Sequence, residues 1–156
     1  MKLLFASDSF KGSLSSEQTM KLLKKAADEI FDCPECTGIP VADGGEGTTD
    51  AVISAIHGEK IPVTVCGPLL EPVNAFYGKL DERRAILEMA AASGLPLVPK
   101  DLRDPENTTT YGTGELIRDA LDRGFTDISI AIGGSATNDG GMGCMRALGV
   151  KFLDSE

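Results

Sequence analysis

The chain has 156 residues, 42% hydrophobic and 25% charged, the composition of a folded globular protein rather than a disordered one. Lys and Arg number 15 against 24 Asp and Glu, and the resulting net charge of -9 repels nucleic acid and anionic membrane, excluding both as partners. An anionic small molecule would need a cationic or backbone-amide site set locally against that field.

This length suits one compact core or two small lobes. Asp8 interrupts the apolar run after Lys2 before a signal-peptide core could form, and no stretch is long enough to span a membrane. A cytoplasmic protein is expected, with Cys33, Cys36, Cys66 and Cys144 as free thiols.

Lys2 to Ser7 reads as a short buried strand followed by the polar loop Asp8 to Gly12. Ser15 and Gln18 have capping-box spacing, and Met20, Leu23, Ala27 and Ile30 then recur at helical period as far as Phe31. A strand over Cys36 to Val41, a helix over Thr48 to Ile56 and a strand over Ile61 to Cys66 complete a βαβαβ pattern, which predicts a parallel, helix-covered sheet. Gly67, Pro68 and Pro72 then punctuate the chain. Two apolar runs, Val73 to Lys79 and Ala85 to Met89, flank the charged turn Asp81 to Arg84 and predict a hairpin. Beyond it come a Pro-rich loop, a helix over Thr113 to Arg123, a strand over Asp127 to Ile132, a Gly-rich turn, a short helix to Leu148 and a strand at Lys151 to Leu153. The fold expected is α/β: a Rossmann-like parallel lobe over residues 1–67, then part of a second α/β lobe over 68–156 that contains the hairpin.

The 18 glycines cluster in loops that follow predicted strand ends and lead toward helices: Asp8 to Gly12, Asp43 to Gly47, Ala91 to Gly94 and Gly133 to Gly143. In open α/β sheets that edge binds ligands, because helix N-termini converge there with free amides. Gly133 to Gly143 is the richest, offering backbone N–H groups, the hydroxyls of Ser135 and Thr137, and Asn138 with Asp139. It reads as a nest for phosphate oxygens with Asp139 on Mg²⁺, or as a tight turn with Asn138 or Asp139 capping the next helix. Asp43 and Glu46, three residues apart among Gly44, Gly45 and Gly47, suit Mg²⁺ ligation or a general base, and equally an acidic first turn. Lys11 is either a counter-charge for phosphate or one half of a surface ion pair with Asp8. The hydroxyl-rich stretch Thr108 to Thr113 either lines a polar ligand site or caps a helix. No Walker A string occurs, and the single His57 assembles no triad.

Five segments in order, Asp-Ser-Phe-Lys-Gly-Ser (8–13), Pro-Val-Ala-Asp-Gly-Gly-Glu-Gly-Thr (40–48), Glu-Met-Ala-Ala-Ala-Ser-Gly-Leu (88–95), Thr-Thr-Thr-Tyr-Gly-Thr-Gly-Glu-Leu-Ile (108–117) and Ile-Gly-Gly-Ser-Ala-Thr-Asn-Asp-Gly-Gly (132–141), resemble the successive motifs of the type I glycerate kinase family. The resemblance implies two α/β lobes with the active site in the cleft between them. It also implies transfer of the ATP γ-phosphoryl group to D-glycerate with Mg²⁺, giving 2-phosphoglycerate. Members of that family are more than twice as long. The chain is therefore expected to be an N-terminal portion whose further partner is the remaining C-terminal part or another copy, and the alternative is a phosphate- or nucleotide-binding fragment without turnover. The roles expected are catalysis by Asp8, Lys11, Asp43 and Asp139, nucleotide binding by Gly44, Gly45, Gly133, Gly134, Ser135, Thr137 and Asn138, and metal binding by Asp43, Glu46 and Asp139.

Overall fold

A computed structural model describes residues 1–10 and 12–153; Lys11 and residues 154–156 lie outside it. Strand β1 (Lys2–Phe5) pairs in parallel with β2 (Glu35–Gly38) through helix α1 (Ser16–Ile30). Helix α1 begins at the capping box read in the sequence: Gln18 N–H donates to Ser15 Oγ at 3.1 Å, and Ser15 N–H donates to Gln18 Oε1 at 2.9 Å. Such a cap contributes about 1 kcal/mol. Strand alternation splits β1 into two faces. Leu3 and Phe5 are half-buried on the side of α1, where Met20 packs over Gly38, while Leu4 on the opposite face is 64% exposed.

Helix α2 (Thr48–Ile56) spans the residues expected of it. It packs on a second sheet, where the missing side chain of Gly78 makes room for Ile53. That sheet contains β3 (Glu59–Cys66), β4 (Pro72–Lys79), β5 (Arg84–Glu88) and β6 (Asp127–Ala131) in sequential order. The β3–β4 and β4–β5 pairs are antiparallel and β5–β6 is parallel. The hairpin expected around Asp81 is present. The three-stranded parallel sheet is not, because β3 leaves β1 and β2 and pairs along its whole length with β4. The cause is the tight turn at Gly67–Glu71, closed by the Gly67 N–H to Glu71 carbonyl bond of 2.6 Å, since a turn that short can only return the chain antiparallel. The expected division at Gly67 thus falls inside one sheet.

Helix α3 (Ala90–Ser93) follows β5 directly, then two 3₁₀ turns, Leu95–Leu97 and Lys100–Leu102, lead to α4 (Tyr111–Asp122). The last helix is α5 (Met142–Ala147). The strand expected at Lys151 to Leu153 does not form: those residues are irregular, with no ladder partner among the described residues. The core lies between α4 and the four-stranded sheet, where Tyr77, Ala85, Leu87, Leu116 and Ala120 are fully removed from water. Tyr77 and Phe125 meet edge to face there, centroids 6.0 Å apart. Gly112 lets α4 approach so closely that a β-carbon at this position would collide with the Cys66 carbonyl. The architecture is mixed α/β: a small parallel sheet beside a four-stranded mixed sheet.

Candidate active site

Three of the four Gly-rich loops meet where β5 and β6 end. Gly133 N–H donates to the Gly44 carbonyl at 2.8 Å, and a β-carbon on Gly133 would strike the backbone of Gly44 and Gly45. The loop read in the sequence as a phosphate nest and the loop carrying the Asp43–Glu46 carboxylates therefore first clasp each other. Leu95 N–H donates to the Gly134 carbonyl at 3.0 Å and Ala136 N–H to the Ser93 carbonyl at 2.9 Å, which ties in the Ala91 to Gly94 loop.

Glu88 locks this junction from below. It is buried at the end of β5, with Oε1 accepting from Gly47 N–H at 3.1 Å and Oε2 from Thr49 N–H at 3.0 Å. A carboxylate thus meets the otherwise unsatisfied amides and positive dipole end of α2. No local spacing marks Glu88 for this task; its only sequence signal is its place at the head of one of the five motifs.

Asp139 is a second organising carboxylate. Its oxygens accept from Thr110 N–H at 2.8 Å, Thr110 Oγ1 at 2.8 Å, Gly141 N–H at 3.0 Å, Gly143 N–H at 3.1 Å and Thr109 Oγ1 at 3.4 Å. Burial alone would raise its carboxyl, but the hydrogen bonds from Thr110, Gly141 and Gly143 outweigh it and hold the pKa below the ordinary 3.8. Both oxygens are spent on the protein. The hydroxyls of Thr108 to Thr113 turn inward as well: Thr108 donates to the Ala136 carbonyl at 2.8 Å, and Thr113 pairs with Ser93 at 2.8 Å in the interior. This segment is a brace between α4 and the 133–143 loop.

The remaining carboxylates stay accessible. Asp43 Oδ1 accepts from Gly45 N–H at 3.0 Å, and its other oxygen has no protein partner among the described residues. Asp8 Oδ1 accepts from Ser9 N–H at 2.6 Å. Asp8 and Glu46 line one cavity of about 440 Å³, and Glu46 also reaches a neighbouring cavity of about 470 Å³ bounded by Phe10, Asn74 and Ala90. The cation among the described lining residues is Lys60, which forms an ion pair with Asp50 and lies 4.2 Å from the Phe76 ring centroid. Lys11 lies outside the described residues. Asn138 is exposed beside the loop. Ser135 and Thr137 hydrogen-bond each other at 2.7 Å and line a separate cavity. The site residues expected from the sequence therefore fall into two groups on either side of the Gly44–Gly133 clasp.

Residues 3–156 match the sequence profile of the glycerate kinase family. The chain belongs to that family. It is 51% identical over 156 residues to glycerate kinase of Bacillus subtilis strain 168, covering 99% of this chain and 41% of the relative. It is 52% identical over 156 residues to glycerate 2-kinase of Escherichia coli K12, with 99% and 41% covered. A crystal structure of the provisionally named glycerate kinase 2 of Salmonella typhimurium LT2 superposes with a TM-score of 0.76 at 52% identity, covering 96% of this chain and 40% of that one. The chain thus spans about two-fifths of the length of these relatives. No helix of the described residues is long and apolar enough to cross a membrane.

Within this glycerate kinase family chain, no group of three His, Cys, Asp or Glu among the described residues closes into a metal cage. Magnesium commonly takes only one or two protein carboxylates, with phosphate and water oxygens completing its octahedron. Asp43 and the exposed Glu46 fit that mode; Asp139, saturated by protein donors, does not.

Proposed function

We propose that this chain forms part of a glycerate kinase that transfers the γ-phosphoryl group of ATP to D-glycerate, giving 2-phosphoglycerate in the cytoplasm. The observation that carries the reading is the convergence of the Asp43–Gly47, Glu88–Gly94 and Gly133–Thr137 loops on one strand edge beside two adjoining cavities. Phosphoryl transfer asks the protein for positioning and charge compensation more than for covalent chemistry. The 2-hydroxyl oxygen of glycerate attacks the γ-phosphorus as the bond to the β,γ-bridging oxygen breaks, ADP departs, and the hydroxyl proton passes to Asp8. Asp43 and Glu46 would hold Mg²⁺, which when bound neutralises phosphate charge. Lys11 supplies a counter-charge on the Asp8 loop. Gly134, Ser135, Thr137 and Asn138 supply the remaining nucleotide contacts, while Gly44, Gly45 and Gly133 shape the loop junction. Asp139 acts as a positioning residue, since its oxygens are committed to holding the 133–143 loop against α4.

Because the chain spans about two-fifths of its relatives, the working catalyst is proposed to include the remainder of a family-length chain, and this polypeptide by itself to bind ligand without turnover. Incubation with ATP, Mg²⁺ and D-glycerate, followed by phosphorus NMR, tests both statements. The family-length protein should accumulate 2-phosphoglycerate and the 156-residue chain should not. Absence of any phosphoglycerate from the family-length protein refutes the kinase reading.

A further inference from the structure

Beside the Leu95–Leu97 turn, apart from the two acid-lined cavities, lies a cavity of about 270 Å³. Its polar side joins Ser135 and Thr137, assigned above to nucleotide, with Arg103, Asp104 and Thr108, which have no role there. Arg103 is the one cation among its described lining residues. Its Nε donates to the Val98 carbonyl at 3.3 Å, which fixes the root of the guanidinium, and neither Nη group has a protein acceptor among the described residues. The adjacent Asp104 does not neutralise it. Asp104 Oδ1 accepts from Glu106 N–H at 3.0 Å and Oδ2 from Asn107 Nδ2 at 2.7 Å, and no ion pair joins it to Arg103.

The facing hydroxyls are similarly poised. Thr108 Oγ1 is spent on the Ala136 carbonyl, whereas the Ser135 and Thr137 hydroxyls meet at 2.7 Å with either oxygen able to donate. Ser135 Oγ also accepts from Thr137 N–H at 3.0 Å and lies 3.5 Å from the Thr137 carbonyl. When Ser135 donates to Thr137, the Thr137 hydroxyl proton is left for a ligand. In the two acid-lined cavities the described cation, Lys60, already pairs with Asp50. Across all three cavities, Arg103 is the described cation without a counter-ion.

We propose that Arg103, with the Ser135 and Thr137 hydroxyls, forms an oxyanion subsite that receives a carboxylate or phosphoryl group on its outer nitrogen fork. A planar guanidinium presents two parallel donors to such a group, which a lysine cannot reproduce. The subsite draws on the proposed reaction only in that the reaction supplies both ligand types, the polyphosphate of ATP and the carboxylate of glycerate.

The test is NMR titration of the ¹⁵N-labelled chain with ATP, D-glycerate and inorganic phosphate in separate experiments, following the Arg103 Nε–H and the amides of Ser135 and Thr137. Shifts with ATP and phosphate assign a phosphoryl subsite, and shifts with glycerate alone assign a carboxylate subsite. Arg103→Gln should weaken the responding ligand on the order of tenfold, and Arg103→Lys should recover only part of that loss. Thermal midpoints should stay unchanged, because Arg103 makes one backbone hydrogen bond; Thr137→Val gives an independent second variant with the same expected direction. Absence of a shift at Arg103 with every ligand at millimolar concentration, or equal affinity in Arg103→Gln, overturns the proposal. Failure of the kinase reading would look different: ligand would still shift Arg103 while the family-length protein made no phosphoglycerate.

Discussion

The Glu88 carboxylate and the Thr49 amide meet at 3.0 Å across 39 residues of chain, joining the end of β5 to the start of α2. With Gly47 on its other oxygen, Glu88 is the buried anion on which the Asp43–Gly47 loop is hung. Glu88→Gln should therefore cost about 2 kcal/mol, because an amide keeps one acceptor and turns an NH₂ group toward a backbone N–H. Urea unfolding of the two proteins measures this. A change below a few tenths would show that the two amides find water instead.

Asp139 predicts a dependence on acid. Its folded pKa lies below the ordinary 3.8, so its contribution is complete above that value and is lost as pH falls through the folded pKa. The stability difference between the wild-type chain and Asp139→Asn should be largest at neutral pH and shrink below pH 3.8. Urea midpoints of both proteins across the acid range check it, and a constant difference would contradict the assignment.

Tyr77 predicts the opposite limb. Burial, reinforced by its hydrogen bond to Asp119 at 2.8 Å, raises the phenol above its ordinary value of 10.0. The stability this confers is complete below pH 10.0 and declines as pH rises toward the folded pKa. Tyr77→Phe should lose about 1 kcal/mol at neutral pH while keeping the edge-to-face contact with Phe125. The gap between the two proteins should narrow in alkaline denaturation.

Gly112→Ala should be the most damaging single methyl added to the core. The new β-carbon would run into the backbone carbonyl of Cys66, and backbone cannot rotate aside as a side chain can. A loss of about 3 kcal/mol or more is expected, read as a large fall in thermal midpoint or as failure to fold. Gly124→Ala offers a contrast: it lies in open space at φ 93° and should show backbone strain alone.

What was legible in the sequence was local. The capping box at Ser15 and Gln18, the bounds of α2 and the hairpin at Asp81 each declare themselves within a few residues, because caps and turns are made from neighbours. The partner of β3 was not legible, since its apolar run fits a parallel or an antiparallel neighbour and the Gly67–Glu71 turn decided between them. The loops holding Asp43 and Gly133 were found by their glycines, but spacing alone could not show that Gly44 and Gly133 bond to each other. Glu88 and Arg103 escaped for the same reason. Glu88 heads one of the motifs, but nothing in that motif says that it bonds amides 39 and 41 residues away. Arg103 shares its cavity with hydroxyls that the sequence does not place near it. The threonines from 108 onward left two readings open, because hydroxyl-rich sequence looks alike whether it faces a ligand or braces a helix.

The bare face of β1 has a consequence for how the chain breathes. A two-stranded parallel sheet covered on one side, with Leu4 open to water, buries far less than the four-stranded sheet around Tyr77 and Leu87. The cleft between Asp8 and Glu46 therefore has walls drawn from cooperative units of unequal depth. The Asp8 wall is expected to open at lower free energy than the Glu46 wall, which Glu88 ties to the four-stranded sheet. Native-state hydrogen exchange should separate them: amides of β1 and β2 should exchange through a shallow, denaturant-independent opening and those of β4 and β5 only through the whole-molecule transition.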